Sequence, residues 1–384
     1  MKSFKTFITL ACVYLVYAVF SASWAGTGLF ILEIENDLKI DTFSAAFLTN
    51  VVSFSKIFGS FFAGFIFTKF GFKWGYFIGC LFISFGAFGI NSYEFMLIGR
   101  FFMGLGSAVA VVALVPLAKA LLENPKKVLS INSTANTFGN FIGISLLGYM
   151  GTFYWKDLFV FFAILNVILL LIFLFCFDSS NNINMSNKNN VKLNKNHYKL
   201  IFFMVFVYID AIFLLNIFFV YFPKIVENLY LDNKTELSNF LNIVNISIIF
   251  YGFVGGFLSV KISHLTGIFL SKCFMLCVVV SLYFIGGSKE HLYLMYVLAL
   301  LFGLSYGLLF SNIFMIGSSQ NTLLSAKIMS VFWAFSYGFL VINSQSFAKI
   351  INSFDFFVAM RYFIFIHFIS FVALICFKKV IKNS

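Results

Sequence analysis

Apolar runs of about twenty residues recur along this chain, set apart by loops of only a few residues, and that rhythm leaves few folds open. A helix rising 1.5 Å per residue needs about 20 residues to cross the roughly 30 Å of bilayer hydrocarbon. Two such runs, 43–67 and 74–90, meet at Gly64-Phe65-Ile66-Phe67-Thr68-Lys69-Phe70-Gly71-Phe72-Lys73, so this stretch must turn tightly at a membrane face. Lys69 and Lys73 mark that face as cytoplasmic, because short cytoplasmic loops collect Lys and Arg.

A chain with 61% hydrophobic and 10% charged residues cannot hide its apolar surface in a soluble core, since soluble domains carry about a quarter charged residues. The chain therefore reads as an all-α integral membrane protein with the lipid bilayer as its solvent. A net charge of +12 would point to nucleic acid in a soluble protein. Here the lysines gather in alternate short loops, which is topology, and no nucleic-acid partner is expected. The 59 phenylalanines are read as genome bias filling lipid-facing positions. Cys12, Cys80, Cys176, Cys273, Cys277 and Cys376 lie in or beside apolar runs and form neither a disulfide framework nor a metal site.

Counting in order gives spans at about 6–28, 43–67, 74–90, 95–122, 128–150 and 159–177. A polar stretch of Asn, Ser and Lys at 178–199 follows, expected to be a disordered cytoplasmic linker. The rhythm then resumes at about 200–222, 240–260, 267–285, 292–316, 323–347 and 356–377. The expected domains are a six-helix half at 1–177, the linker at 178–199, and a second six-helix half at 200–384. Sorting lysines, Lys272 among them, onto alternate loops gives one basic and one acidic face, with both termini cytoplasmic in a cell (inner) membrane. Lys2 and Lys5 before an apolar run imitate a signal peptide, but the run continues past Ser21-Ala22-Ser23. Residues repeat as well as rhythm: Gly256 to Lys261 echoes Gly64 to Lys69, and Gly303-Leu304-Ser305 echoes Gly104-Leu105-Gly106.

The stretch at 64–73 resembles the loop between the second and third helices of the major facilitator superfamily, G-x-x-x-[DE]-[RK]-x-G-x-[RK]. Gly64, Lys69, Gly71 and Lys73 stand on its fixed positions, and Thr68 stands where the family has its acid. Arg100-Phe101-Phe102-Met103-Gly104-Leu105-Gly106 resembles the family's fourth-helix motif R-x-x-x-G-x-G. The resemblance implies twelve helices in two halves and a conformational latch at the first motif. It also implies an arginine linked to coupling at the second, and function as a single chain.

Charges inside a span cost about 2.5–3.5 kcal/mol on insertion scales, so those that persist have a partner or face a wet cavity. Asp210 lies deep in the seventh run and reads as a proton carrier, with Arg100 as its electrostatic partner. The competing reading is one end of a structural pair with Lys56 or Arg100, and Arg100 reads also as an arginine snorkelling to the surface. Thr49, Ser53, Lys56 and Ser60 share one helical face, and a cation there fits an anionic solute or the neutralisation of Asp210. Amide stripes at Asn132, Asn136 and Asn140 and at Asn239, Asn242 and Asn245 bind polar solutes or bridge helices. Tyr337 is a candidate cavity wall. The expected substrate-binding set is Lys56, Ser53, Asn136, Asn140, Asn242 and Tyr337.

His197, His264, His291 and His367 are dispersed, and there is no phosphate loop, zinc spacing or nucleophile elbow. The expectation is thus not an enzyme, with no catalytic residue, metal or cofactor. It is a secondary active transporter, a proton-coupled symporter, moving a small organic solute, in one version an anionic metabolite, by alternating access. Two alternatives stay open: efflux of a siderophore or drug-like compound, and a receptor or assembly factor that does not transport.

Overall fold

The computed structural model describes residues 2–149, 154–177, 193–218, 234–285, 292–318, 322–354 and 356–376. The helices are α1 (Lys2–Leu29), α2 (Ile31–Leu38), α3 (Thr42–Leu81), α4 (Tyr93–Leu121), α5 (Lys126–Asn132), α6 (Ala135–Tyr149) and α7 (Trp155–Cys176). They continue with α8 (Lys195–Asn216), α9 (Lys234–Lys261), α10 (His264–Ile285), α11 (Leu292–Ser318), α12 (Thr322–Ser353) and α13 (Phe356–Cys376). No strand occurs among the described residues.

Ten helical stretches are long and apolar enough to cross a membrane. One of them is double. α3 is two limbs joined at Gly71, whose φ of 71° lies where an L side chain is strained. The expected turn is thus a single-residue break. The second limb ends at Leu81 and passes into a 3₁₀ turn at Phe82–Ala87, earlier than the run to residue 90 suggests. The span expected at 128–150 is itself divided, into α5 and α6, and is short of a crossing in either piece alone. With these two adjustments the architecture is an all-helical membrane bundle consistent with twelve crossings.

Most of the expected linker lies outside the described residues. Its end, 195–199, is the first turn of α8, held by a capping box: Asn194 Oδ1 accepts from the His197 amide and His197 Nδ1 accepts from the Asn194 amide. Other expectations on the acidic face, at Glu227, Asp232, Glu290 and Asp355, also lie outside the described residues.

Each spanning helix divides into faces. On the first limb of α3, Phe54, Phe58, Phe61 and Phe65 are exposed while Val52, Lys56, Ser60 and Ala63 are buried. Spacings of three and four put each set on one face, the first toward lipid and the second toward the bundle. Small residues bring helices close: α6 lies on α1 so tightly that a Cβ at Gly139 would run into the Ala18 carbonyl. Across the two halves α12 packs on α3 and α4, and α9 on α5 and α6.

At the acidic end the amphipathic α2 lies over the bundle with Ile34 buried against Leu48, Met96, Trp155 and Phe159. Asp37 fastens it, accepting hydrogen bonds from the Tyr154 hydroxyl and, at 2.7 Å, from Trp155 Nε1.

Candidate functional site

Three buried charge sites lie in the bundle among the described residues, and the first joins the halves. Lys56 on α3 is 7% exposed, and its Nζ stands 4.4 Å from the ring centre of Phe20, 6.0 Å from that of Trp24 and 4.7 Å from that of Tyr337. Phe20 and Trp24 come from α1, Tyr337 from α12. Aromatic faces attract a cation, by about 0.5–2 kcal/mol, but do not neutralise it. No acid or hydrogen bond partners Lys56 among the described residues. Tyr337 is held in turn: it stacks on Trp333 at 5.3 Å and its side chain hydrogen-bonds Tyr17. Trp333 packs edge-on against Tyr208, whose hydroxyl pairs with that of Tyr306 at 2.8 Å.

Several polar atoms near these elements are buried without a hydrogen-bond partner: Trp24 Nε1, Trp333 Nε1, Ser60 Oγ, Asn242 Oδ1, and both amide atoms of Asn140 and of Asn245. An unsatisfied buried group costs about 1–3 kcal/mol, so such a set is a place where a polar solute gains by binding. Asn136 differs, because its Oδ1 accepts from Ser21 and so bridges α6 to α1. Ser53 is half-buried beside Lys56 in sequence. Asn239, the outermost of its stripe, is exposed.

The second site lies wholly in the C-terminal half. Asp210 on α8 is fully buried, and Lys272 Nζ on α10 donates to its Oδ1 at 2.5 Å. His367 Nδ1 on α13 is 2.6 Å from Oδ2. Ser370 Oγ and the Ala211 amide also reach Oδ1, at 3.2 and 2.8 Å. This corrects two sequence expectations. Asp210 is not a lone acid partnered by Lys56 or Arg100, and Lys272 is not a loop lysine but a buried residue inside α10. A His among Phe and Ile in the last span carried no signal of its role. The one available was that a His and a Ser three residues apart share a helical face.

Arg100 on α4 is fully buried, so it does not snorkel. Its guanidinium lies 4.2 Å from the Phe159 ring centre and Nη1 donates to Met103 Sδ at 3.5 Å, while Nε and Nη2 have no partner. It does not touch Asp210.

In the 64–73 stretch, Gly64 is pressed against the other half: a Cβ there would be 3.1 Å from Ser330 Oγ on α12. Thr68 Oγ1 turns back to donate to the Gly64 carbonyl at 2.7 Å. Lys69 lies over Phe65 and Phe70 of its own helix, and neither it nor Lys73 has an ionic partner among the described residues.

The halves meet again toward the basic end. Lys119 Nζ donates to the Ser318 carbonyl at 2.5 Å, Ser130 Oγ to the Gly252 carbonyl at 3.2 Å, and Ser133 and Ser311 hydroxyls lie 3.4 Å apart. These hydrogen bonds tie the halves together on the basic side of Lys56 and Tyr337 and close that end. Among the described residues no group of His, Cys, Asp and Glu is arranged to hold a metal ion.

A sequence profile described as Major Facilitator Superfamily matches residues 13–342. An uncharacterized protein of Campylobacter jejuni subsp. jejuni serotype O:2 is 35% identical over 316 residues, 77% of this chain and 95% of that protein. Among solved structures, the proton:xylose symporter XylE bound to 6-bromo-6-deoxy-D-glucose superposes with a TM-score of 0.77 at 13% identity, over 99% of this chain and 96% of that one. The transporter FucP in its outward conformation gives 0.65 at 14% identity, over 96% and 98%. At such identities these two likenesses speak for the fold alone.

Proposed function

Because the chain belongs to the major facilitator superfamily, as a multi-pass membrane transporter, we propose that it is a proton-coupled symporter of a small anionic solute, alternating access between two six-helix halves. One observation carries the choice of an anion. Lys56 is a buried ammonium at the junction of the halves, shielded by Phe20, Trp24 and Tyr337 and answered by no carboxylate among the described residues. The solute's negative group takes the place of that missing counter-ion, and the unpartnered amides of Asn140 and Asn245, with Asn242, hold its polar body. Proton coupling is assigned to the Asp210 cluster, a buried charge site that the solute contacts do not use. The proton:xylose symporter XylE is a precedent for this coupling on the fold. Arg100, whose guanidinium lies on the Phe159 ring with Nε and Nη2 unbonded among the described residues, is assigned to the shape of the acidic-end entrance. The basic face is taken as cytoplasmic and the shut state as one closed to the cytoplasm.

The test is pH change inside weakly buffered proteoliposomes challenged in turn with pooled carboxylates, amino acids, sugars and nucleosides. Proton entry with the carboxylate pool, lost in Lys56→Met at unchanged protein content, supports the reading. A response confined to sugars or nucleosides, or one unchanged in Lys56→Met, overturns the anion assignment.

A further inference from the structure

Hydrogen-bond accounting in the Asp210 cluster separates the group that must stay charged from the group that is free to change. Four donors converge on the carboxylate: Lys272, Ala211 and Ser370 on Oδ1 and His367 on Oδ2. An ionised carboxylate offers about two lone-pair sites on each oxygen, so Oδ1 is saturated, and a proton taken on Oδ2 would leave Lys272 buried without its counter-charge. Lys272 has no more freedom, because releasing its proton would leave the carboxylate buried without a counter-charge. His367 alone can change state without breaking a bond of the cluster. Its Nδ1–H donates to Oδ2 in both the neutral and the charged ring, while its Nε2 is buried and has no partner among the described residues.

We propose that Nε2 of His367 is the atom that carries the coupled proton, and that Asp210 and Lys272 form a permanent pair that positions the ring. This rests on reading the chain as a proton-coupled transporter. In one orientation a hydronium ion gives its proton to the Nε2 lone pair, an N–H bond forms, and the cluster passes from net zero to +1. In the other that bond breaks and the proton returns to water as the lone pair is restored. The charged groups facing the ring are Asp210 from α8 and Lys272 from α10. From α12, the remaining helix packed on α13, the polar partner is Asn343, which accepts from Tyr362 and does not titrate. Imidazole is the side chain that proteins use most often to take up and release protons. Asp210 is then a positioning residue.

Two measurements test this, and the first needs no substrate. In protein labelled with ¹⁵N-histidine, assigned against variants of the other three rings, the His367 signals should show Nε2 changing between bare and protonated across pH 5–9 (about two units either side of neutrality) while Nδ1 stays protonated. A ring that does not change, or one that changes at Nδ1, overturns the proposal. The second compares His367→Asn, whose amide still donates to Asp210, with the neutral pair Asp210→Asn/Lys272→Met in vesicles given short hydroxy- and keto-acids. His367→Asn should lose substrate-driven proton entry by at least tenfold yet keep exchange of labelled for unlabelled acids within about twofold. The neutral pair should keep proton entry with a shifted pH midpoint. Proton entry that persists in His367→Asn, or that vanishes in the neutral pair while exchange continues, overturns the assignment to His367. Absence of exchange in the unmodified protein defeats instead the carboxylate reading on which it rests, and leaves the spectroscopic result to stand or fall alone.

Discussion

Lys272 and Asp210 are worth more as a pair than either is alone. Removing one partner of a buried ion pair costs about 3–5 kcal/mol, because the survivor is left charged in a low dielectric, whereas removing both is far milder. Lys272→Met should therefore lower the thermal midpoint of the purified protein sharply, and Asp210→Asn/Lys272→Met should recover most of that loss. Equal melting of the single and double variants would contradict it. Gly71 makes a second prediction at this scale. No atom lies within 4 Å of a Cβ there, so the cost of Gly71→Ala is purely that of a φ of 71°, about 1–3 kcal/mol, read as a drop in melting temperature. The two residues also mark what a sequence shows. Asp210 was visible because one acid in the middle of an apolar run violates the composition around it. Lys272 was not, because a lysine near the edge of a run reads as loop, and its partner is 62 positions away with no periodicity to tie them.

Helical faces were the legible part at the next scale up. The alternation of exposed Phe54, Phe58, Phe61 and Phe65 with buried Lys56 and Ser60 follows from spacing alone. Breaks were harder to see: the division of one span between Asn132 and Ala135 has no proline or glycine to announce it, and tertiary packing against α9 and α11 shapes it instead. The docking of α2 is equally tertiary. Hydrogen bonds from Tyr154 and Trp155 hold the Asp37 carboxyl below the usual carboxylate range. A depressed carboxyl adds stability that is complete above its unfolded value of about 4 and is lost as pH falls through the folded one. Amide protection across Ile31–Leu38, taken relative to the intrinsic exchange rate at each pH, should accordingly fall in acid below about pH 4 and be low at all pH values in Asp37→Asn. Protection that is indifferent to both would dissociate α2 from this anchor.

For the whole molecule, charge counting gives a prediction that no single residue makes. In the proposed cycle the empty carrier would hold Lys56 unpaired and the Asp210 cluster neutral, whereas in the loaded one the anion would neutralise Lys56 and the coupled proton would add one charge to the cluster. The reorienting protein thus carries the same net charge in both directions. Transport of a monovalent anion should then be electroneutral, its rate set by the pH difference and unmoved by a potassium–valinomycin potential. A rate that follows the imposed voltage would break the one-to-one bookkeeping. The closure at the basic end makes a companion prediction. Losing the Lys119 bond to Ser318 should bias the protein toward opening there, so Lys119→Ala should raise labelling of a cysteine placed at Ser311.

The shielded lysine is built like a clasp with a jaw on each half. Phe20 and Trp24 travel with Lys56, whereas Tyr337 travels with α12. Any rocking that opens the basic end draws Tyr337 away and lets water reach the ammonium, so the grip on an anion must weaken as the path to the other side appears. Hold and release would then be one motion, with the cell interior meeting a looser site than the one that made the capture.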